Sequence, residues 1–557
     1  MNNEYVFYTK DLLDFPLDDS IDVVNEPISE DKGYIVSNSE EVTSLIYAPE
    51  INFYIRNSED DLLQKIKNIK ALYDIRSANF DYAKDIDFEQ EVNEKLLIVT
   101  SDENFAKYKE ILENKKFRAI SLEPDMVLDV EGHIGELRVT LKKDDKEYEI
   151  DCDQIVWENA PDFAMKQSGV FDPALESLES IVNKLEKNLE GYRYKNYVVY
   201  DPNICQYHER REEICGKCAE VCPTVAILKE DESKHLILSH VDCHGCGGCV
   251  SVCPSGAMDY AQMPREGFGA IKEFYEDRVA LIIPRKMELE SLHVKTPKGV
   301  LPLAIEGEKF LSEMHFLSLI QTSGNPVIFF SDFISKGTGD SIYIINEIFQ
   351  RKYNKQAVFI CKNEEELKDI FPKLESMPEC KWGFNEEGMR KREIFSARLA
   401  HLVGDEDLGV VKTGEHIHYG DIIINEDNCT LCLSCVGACN VRALTAHPED
   451  NTLRFNPSIC TNCGYCVPSC PEKDCLSIVE DELHLKPEYF TQRVMAKDEL
   501  FKCVECGVPF ATKKSIEKIA SIMIPKFGDD KEKIRALYCC ADCKAKVTMK
   551  SYLQGKG

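Results

Sequence analysis

Two spacings of apolar residues alternate along the chain, and together they predict several α/β domains. Residues 95–124 pass from the apolar run KLLIV through helical spacing to a second apolar run, which predicts strand, helix and strand. Residues 137–150 are predicted to form a hairpin around the polar sequence LKKDDKEY, which lies inside this range. Residues 279–361 place helical spacing between the runs VALIIP, PVIFF and AVFIC, which predicts a parallel sheet with right-handed crossovers.

Two linker helices are expected, over residues 171–195 and 384–404. In the first, Asp172 is the predicted N-cap and Pro173 fits the first turn. One apolar stripe supports this helix: Leu175, Leu178, Ile181, Val182, Leu185 and Leu189. The glycine-containing sequence SKGTGDS, residues 335–341, is predicted to be a turn between a strand and a helix, with a phosphate cradle as the alternative.

Composition narrows the class of protein. The 557 residues are 43% apolar, enough for several separate cores. A formal net charge of −31 argues against nucleic acid and anionic membranes as partners. No run of about 18 apolar residues predicts a membrane span, and the first residues lack a signal-peptide pattern. We therefore expect a cytoplasmic protein.

The chain has 25 cysteines, and most of them occur in tight runs. Clustered Cys-x-x-Cys spacing in a reducing compartment indicates metal binding. Seven cysteines recur in a second copy, each 217 residues after its counterpart, which indicates an internal duplication. The first copy contains Cys215, Cys218, Cys222, Cys243, Cys246, Cys249 and Cys253, and the second contains Cys432, Cys435, Cys439, Cys460, Cys463, Cys466 and Cys470.

Each copy needs an eighth cysteine. In the second copy it is Cys429, which completes the spacing C-x2-C-x2-C-x3-C. In the first copy Cys205 takes this role if seven residues are inserted after it, and a free surface cysteine is the alternative. The sequence YDPNIC, which ends at Cys205, matches FNPSIC, which ends at Cys460, and this supports the assignment.

This spacing predicts four 4Fe–4S clusters. Three ligands of each cluster come from one short loop, and the last cysteine of each run ligates the other cluster of its pair. The predicted sets are Cys205, Cys215, Cys218 with Cys253; Cys243, Cys246, Cys249 with Cys222; Cys429, Cys432, Cys435 with Cys470; and Cys460, Cys463, Cys466 with Cys439. Zinc is the competing interpretation, but the tandem run is a poor zinc pattern. Proline follows three of the four runs, and Asn440 replaces it in the fourth.

These motifs resemble the bacterial two-cluster ferredoxins over residues 196–262 and 420–482. The resemblance implies two α+β modules of paired strands and short helices, each holding two clusters close enough for electron tunnelling. Two such modules in one chain resemble a polyferredoxin. The order of domains is also similar to that of iron–sulfur proteins associated with bacterial formate dehydrogenases.

A different metal site is predicted within residues 498–550. Cys503 and Cys506 form a Cys-x-x-Cys-Gly knuckle, and Cys540 and Cys543 form a second pair, which is typical of one structural zinc in a zinc ribbon or treble clef. Cys539 could replace Cys540. A fifth iron–sulfur centre and metal-free thiols are the alternatives.

The remaining regions are expected to be α/β domains, over residues 1–170 and 274–378. The sequences VEGHIGELRVTL and DQIVWENAPDFAMKQSGVFDP resemble the flavoprotein subunit of heterodisulfide reductase, which implies a nucleotide-binding-like fold. The dinucleotide fingerprint is absent, so flavin is not expected. LPLAIEGEKFLSEMHFLSLIQTSG resembles the delta subunit of hydrogenases linked to heterodisulfide reductase, and residues 274–360 lack the cysteines of that family's cluster.

These observations favour an electron carrier without a catalytic residue of its own. It would relay electrons between a cytoplasmic dehydrogenase, best matched by formate dehydrogenase, and another redox protein. A subunit of a flavin- or nicotinamide-dependent oxidoreductase complex and a maturation factor for a partner dehydrogenase are the alternatives.

Overall fold

The computed structural model describes residues 3–553 except residues 12, 114 and 286. The chain divides into two units. The first contains Met1–Pro202, Tyr207–Ile342 and Gln356–Gly388, and the second contains Asn203–Gln206, Tyr343–Lys355 and Met389–Gly557. Within the described part of the chain, no helix combines the length and the apolar character needed to cross a membrane.

The first unit begins with a small parallel sheet in the strand order β2-β1-β3-β4. Two helices follow it, and Asp61 caps the second by accepting a hydrogen bond from the Gln64 amide at 3.0 Å. These elements are β1 (Tyr5–Tyr8), β2 (Ile21–Val24), β3 (Val36–Ser37), β4 (Ile46–Tyr47), α1 (Pro49–Asn57) and α2 (Leu62–Tyr82).

A three-layer arrangement follows. The parallel sheet β12-β11-β6-β7 turns alternate residues of β6 to opposite faces, as a strand must. Leu97 and Val99 pack against the antiparallel sheet β10-β9-β8, whereas Leu96 and Ile98 pack against helices on the other face. The elements are β5 (Asp87–Gln90), β6 (Lys95–Val99), α3 (Asp102–Ile111), β7 (Arg118–Leu122), β8 (Val127–His133), β9 (Glu136–Lys143), β10 (Lys146–Cys152), β11 (Gln154–Trp157), α4 (Asp162–Met165), β12 (Val170–Phe171) and α5 (Leu178–Asn188).

Short antiparallel pairs come next. The pairs are β13 with β5, β14 with β17, and β15 with β16. The elements are β13 (Tyr192–Lys195), β14 (Val198–Tyr200), α6 (Lys217–Glu220), β15 (Ile227–Glu230), β16 (His235–Leu238), α7 (Gly248–Val252), β17 (Met258–Tyr260) and α8 (Arg265–Ile271).

The sheet predicted for residues 279–361 is present and fully parallel, in the order β19-β18-β20-β21. Cys361, which ends the apolar run AVFIC, lies in the core of this sheet. The elements are β18 (Val279–Pro284), β19 (Val300–Ile305), α9 (Glu313–Ser323), β20 (Val327–Phe330), α10 (Lys336–Tyr353), β21 (Val358–Cys361) and α11 (Glu364–Ile370).

The second unit is built from a helix, short antiparallel sheets and a helical C-terminal region. The sheets are β22-β27, β23-β26, β24-β25-β28 and β29-β30. The elements are α12 (Lys391–Val403), β22 (Val410–Lys412), β23 (Gly420–Ile424), α13 (Ser434–Ala438), β24 (Leu444–His447), β25 (Thr452–Phe455), α14 (Cys466–Ser469), β26 (Leu476–Glu480), β27 (Glu482–His484), β28 (Arg493–Lys497), β29 (Leu500–Lys502), β30 (Pro509–Thr512), α15 (Lys513–Phe527), α16 (Lys531–Leu537) and α17 (Ala541–Leu553).

Two sequence predictions about helix starts are wrong. Asp172 does not cap α5. Its carboxylate instead accepts hydrogen bonds from the amides of Asn159 and Ala160 at 3.0 and 3.1 Å, and Ser177 caps the helix. Residues 335–341 are not a loop, because α10 begins at Lys336. A β-carbon at Gly337 would lie 2.6 Å from Val252 Cγ1, so close packing against α7 explains this glycine.

Candidate metal centres

The two cysteine-rich regions fold alike. The hairpin strands β15 and β16 lie 217 residues before β24 and β25, so that Ile227 matches Leu444 and His235 matches Thr452. The flanking strands also pair alike, β14 with β17 and β23 with β26. The spacing seen in the sequence is therefore a repeat of structure.

The predicted set Cys222, Cys243, Cys246 and Cys249 lines one cavity of the first unit, which we call cavity A. Apolar side chains of β15 and β16 complete much of its wall, and His240 and His244 also line it. Burial raises the pKa of Cys243 to about 11, while a hydrogen bond from the Gly245 amide acts in the opposite direction. Four cysteines around a largely apolar cavity are the donor set that a 4Fe–4S cluster requires.

The matching set Cys439, Cys460, Cys463 and Cys466 lines a cavity of the second unit, which we call cavity B. Its wall likewise comes from the hairpin, through Leu444 and Phe455. Burial raises the pKa of Cys466 well above its ordinary value, by the same physical cause as in cavity A. The donor set and the apolar wall again suit a 4Fe–4S cluster.

The set Cys429, Cys432, Cys435 and Cys470 also meets. Burial, together with the neighbouring thiols of Cys429, Cys432 and Cys470, raises the pKa of Cys435 to about 12. Cys475 lies beside the same group. Its pKa is therefore raised by burial and by the neighbouring thiols of Cys429 and Cys470. The Cys475 sulfur donates to the Asn425 carbonyl at 3.8 Å.

Three of the cysteine loops share an unusual backbone. The left-handed conformation recurs after the first and second cysteines of each loop, with φ between 52° and 78°, at Gly245, Gly247, Leu431, Leu433, Asn462 and Gly464. This turn lets the amides of Gly245, Leu431 and Asn462 donate to the cysteine sulfur two residues earlier. Leucine is costly in this conformation, by about 1–2 kcal/mol, so the loop geometry is imposed by its surroundings.

The remaining predicted set is only partly placed. Cys215, Cys218 and Cys253 belong to the first unit, and Cys205 belongs to the segment Asn203–Gln206 of the second unit. Gly216 in this loop has φ 172°, outside the left-handed region, so it does not share the left-handed turn of the other loops. The grouping of these four cysteines remains a prediction from the sequence.

Asn440 explains the one missing proline. Within the second unit, its side-chain amide donates to the Cys205 carbonyl at 2.9 Å and accepts from Gln206 Nε2 at 2.7 Å. Proline could form neither bond. The asparagine therefore holds Gln206 in place as part of the wall of cavity B.

The C-terminal cysteines form a compact group. The sulfurs of Cys503, Cys506, Cys540 and Cys543 all lie within 4.8 Å of one another. Cys506 and Cys540 are 3.7 Å apart, and a tetrahedron with Zn–S bonds of about 2.3 Å has S–S edges of about 3.8 Å. Cys539 stands outside the group, and its sulfur donates to the Arg535 carbonyl at 3.4 Å.

Backbone donors surround this group. Burial acts to raise the pKa of Cys503, but hydrogen bonds from the amides of Cys540, Cys506 and Glu505 outweigh it and lower the pKa to about 6. The Cys540 amide donates to the Cys503 sulfur at 3.3 Å. The first pair follows β29, and the second lies at the start of α17, so two separate elements present four thiols to one point.

Sequence reasoning missed two charged neighbours of these cavities. Asp242 is buried next to Cys243, and Arg392 is buried at the start of α12, near Cys460. Asp242 adjoins a ligand in sequence and could have been found from that position. Arg392 lies 68 residues before Cys460, and no local pattern relates the two residues.

Comparison with known proteins supports the presence of two iron–sulfur cluster domains. Residues 213–258 and residues 421–471 each match a family model described as a 4Fe-4S dicluster domain. A stretch of 69 residues is 33% identical to a subunit of the tetrathionate reductase of Archaeoglobus fulgidus. The match covers 12% of this chain and 30% of that protein, less than a third of the relative's length. Cys205 lies outside the matched ranges.

Proposed function

We propose that this chain, an iron–sulfur electron-transfer protein with two 4Fe–4S dicluster domains, relays single electrons. The electrons would pass between a dehydrogenase and a second redox protein. The observation that carries the proposal is the pair of repeated cavities, each lined by the four cysteines that the spacing assigns to one cluster. Tandem pairs of clusters supply one-electron transfer without bond making.

The four ligand sets proposed are those predicted from the sequence, with Cys475 left as a thiol beside the third set. The protein's own contribution is to exclude water and to aim amides at sulfur. Apolar hairpin residues such as Ile227 and Leu444 line the cavities. The left-handed turns supply the N–H···S hydrogen bonds, which stabilise added negative charge and so raise the reduction potential.

The C-terminal group is proposed to hold one structural zinc through Cys503, Cys506, Cys540 and Cys543. A closed set of four thiolates leaves no open position for catalysis, so this ion would stabilise the fold. The compact sulfur group supports the assignment.

A cytoplasmic formate dehydrogenase is the proposed electron source. The resemblance in domain order to iron–sulfur proteins associated with that enzyme supports it, and the partial similarity to a subunit of a tetrathionate reductase supports a redox enzyme as partner. The net charge of −31 favours a partner that presents a basic docking patch.

The test uses the full chain, purified without oxygen and mixed with formate dehydrogenase and formate. We expect the visible absorbance of the clusters to bleach at a rate that depends on the dehydrogenase concentration. The Cys435→Ser variant should lose about four iron atoms per chain. The matched control Cys380→Ser changes a buried cysteine outside the proposed sets, whose sulfur donates to the Ile320 carbonyl at 3.7 Å, and should lose none.

Two results would overturn parts of this proposal. Clusters that stay oxidised with formate dehydrogenase but are reduced by another dehydrogenase would replace the electron source and keep the carrier. A flavin absorbance band in the purified chain would instead favour a flavin-dependent oxidoreductase.

A further inference from the structure

One cysteine loop of the second dicluster domain reaches the surface. Among the eight proposed cluster ligands within residues 420–482, Cys432 is exposed, and the other seven are buried or half-buried. The next residue, Leu433, is 39% exposed. Electron tunnelling between proteins falls off steeply with distance, so a redox partner gains most by docking where a ligand loop meets the solvent.

Helix α15 of the C-terminal region packs on this loop. The Thr430 carbonyl accepts hydrogen bonds from Thr512 Oγ1 at 2.8 Å and from Ser515 Oγ at 3.0 Å. Lys518, one turn further along the helix, forms an ion pair with Glu472. All of these residues belong to the second unit, so the position of α15 beside the cysteine loop is fixed within one unit.

One face of α15 begins on the loop and continues into solvent. Ser515, Ile519, Ile522 and Lys526 have the spacing of residues on a single helical face. Ser515 contacts the loop, whereas Ile519 and Ile522 are 48% and 50% exposed, and Lys526 is exposed as well. We call Ile519, Ile522 and Lys526 the α15 face. Large apolar side chains that share an exposed face favour a surface that another protein covers.

The region that contributes the α15 face is basic, although the chain is acidic. Residues 500–557 contain twelve lysine or arginine residues and six aspartate or glutamate residues, in a chain with a formal net charge of −31. Among the described residues, the ion pairs of this region involve Lys518, Lys533 and Arg535, and Lys526 is in none of them. A local positive field attracts an acidic surface and speeds its encounter.

Resting on the proposed function, we infer that the α15 face, together with the exposed loop at Cys432 and Leu433, docks an acidic one-electron protein. This protein is the second redox protein of the relay. One electron leaves the reduced cluster held by Cys432 and its set, which is oxidised, and enters the one-electron centre of the docked protein, which is reduced. No bond forms or breaks, and no proton is transferred.

Nucleic acid is the other class of polyanion that a basic surface attracts. The exposed apolar side chains of the α15 face are isoleucines, which offer no ring for base stacking. A long phosphate backbone would also extend over the acidic remainder of the chain and be repelled there. An apolar centre with a charged rim is instead the usual composition of a protein–protein interface.

The experiment follows electron transfer from the full chain to cytochrome b5, an acidic haem protein, by stopped-flow absorbance of the haem. The chain is purified without oxygen, reduced with dithionite and freed of excess reductant. We expect Lys526→Glu to lower the second-order rate constant about fivefold or more at low ionic strength, and much less at high ionic strength. The double variant Ile519→Ser and Ile522→Ser should lower it at both ionic strengths, because salt does not screen apolar contact.

Matched controls separate the α15 face from charge in general. Lys143→Glu reverses an exposed charge of the first unit and should change the rate by about twofold at most. With cytochrome c, a basic haem protein, Lys526→Glu should not slow electron transfer. Each variant should keep the iron and zinc content of the unmodified chain. Carbodiimide cross-linking to cytochrome b5, mapped by mass spectrometry, should join Lys526 and gives a measurement independent of the rate.

The inference is overturned if Lys143→Glu slows the reaction as much as Lys526→Glu does, or if the cross-links avoid Lys526. Tight binding of duplex DNA that Lys526→Glu abolishes would also overturn it, in favour of a nucleic-acid partner. A chain that holds no reducible cluster would instead contradict the proposed function itself.

Discussion

At the scale of single residues, the buried Arg76 shows how this acidic chain stabilises charge inside its first unit. Its guanidinium bonds both oxygens of Glu50 and contacts Glu306 Oε1 at 2.9 Å. Burial alone would raise the pKa of Glu306, but Arg76 and Arg285 outweigh it and hold the pKa below its ordinary value. Breaking a buried pair costs more than the pair contributes, because it leaves an uncompensated charge.

We therefore expect Arg76→Met to lower the free energy of unfolding of the full chain by about 3–5 kcal/mol. The depressed pKa of Glu306 gives stability that is present above the unfolded value of about 4.3 and is lost as the pH falls through the folded value. The variant should lose part of this acid dependence, because Arg285 still lowers the pKa of Glu306. Urea unfolding at pH 7 and at pH 3 measures both effects.

The matched control is Arg118→Met, which breaks an exposed contact with Glu94 and should change stability little. Equal effects of the two substitutions would contradict the role given to Arg76.

A second prediction at this scale separates two adjacent cysteines. Cys540 belongs to the compact sulfur group and Cys539 does not. Cys540→Ser should therefore reduce bound zinc at least tenfold, because the ligand set is incomplete. Cys539→Ser should keep about one zinc per chain. Mass-spectrometric metal analysis after brief exposure to a chelator measures the difference, and zinc loss from Cys539→Ser alone would reverse the assignment.

At the scale of elements, the strand pair β23 and β26 supports cavity B. A β-carbon at Gly420 would lie 2.1 Å from the Val479 carbonyl oxygen and 2.2 Å from Asn462 Nδ2. Asn462 itself donates to the Val479 carbonyl at 3.0 Å. The cysteine loop and the sheet edge therefore meet at a position where only glycine fits.

We expect Gly420→Ala to destabilise the second unit by about 1–3 kcal/mol, the usual cost of overpacking, and to reduce iron content. The control is Gly437→Ala in α13, where a β-carbon meets nothing within 4 Å and where alanine favours a helix. Thermal unfolding and iron analysis of both variants test this. If Gly437→Ala lost as much iron as Gly420→Ala, the close contact of Gly420 with Val479 and Asn462 would not be the cause of the iron loss.

The sequence predicted elements well where apolar periodicity was strong. The strand–helix–strand of residues 95–124, the hairpin at 137–150 and the parallel sheet at 279–361 are all present. The sequence predictions were wrong where tertiary contacts, and not the local sequence, determine which residue caps a helix. Asp172 has the chemistry of an N-cap, but two amides of another loop occupy its carboxylate.

At the scale of the whole molecule, spacing alone was enough to group the cysteines of both cavities, because a duplicated loop must repeat its ligands. The positions of Arg392 and Gln206 near cavity B were not predictable in the same way. Arg392 reaches its position through the packing of α12, and Gln206 reaches the wall of cavity B through Asn440. Contacts between residues so far apart in the chain leave no periodic pattern in the sequence.

The central claim is that the chain holds four 4Fe–4S clusters, and metal and sulfide analysis of oxygen-free protein tests it most directly. We predict about sixteen iron atoms and sixteen acid-labile sulfides per chain, with about one zinc. Zinc without labile sulfide, or iron near half the predicted amount in protein with all sixteen proposed ligands intact, would contradict it.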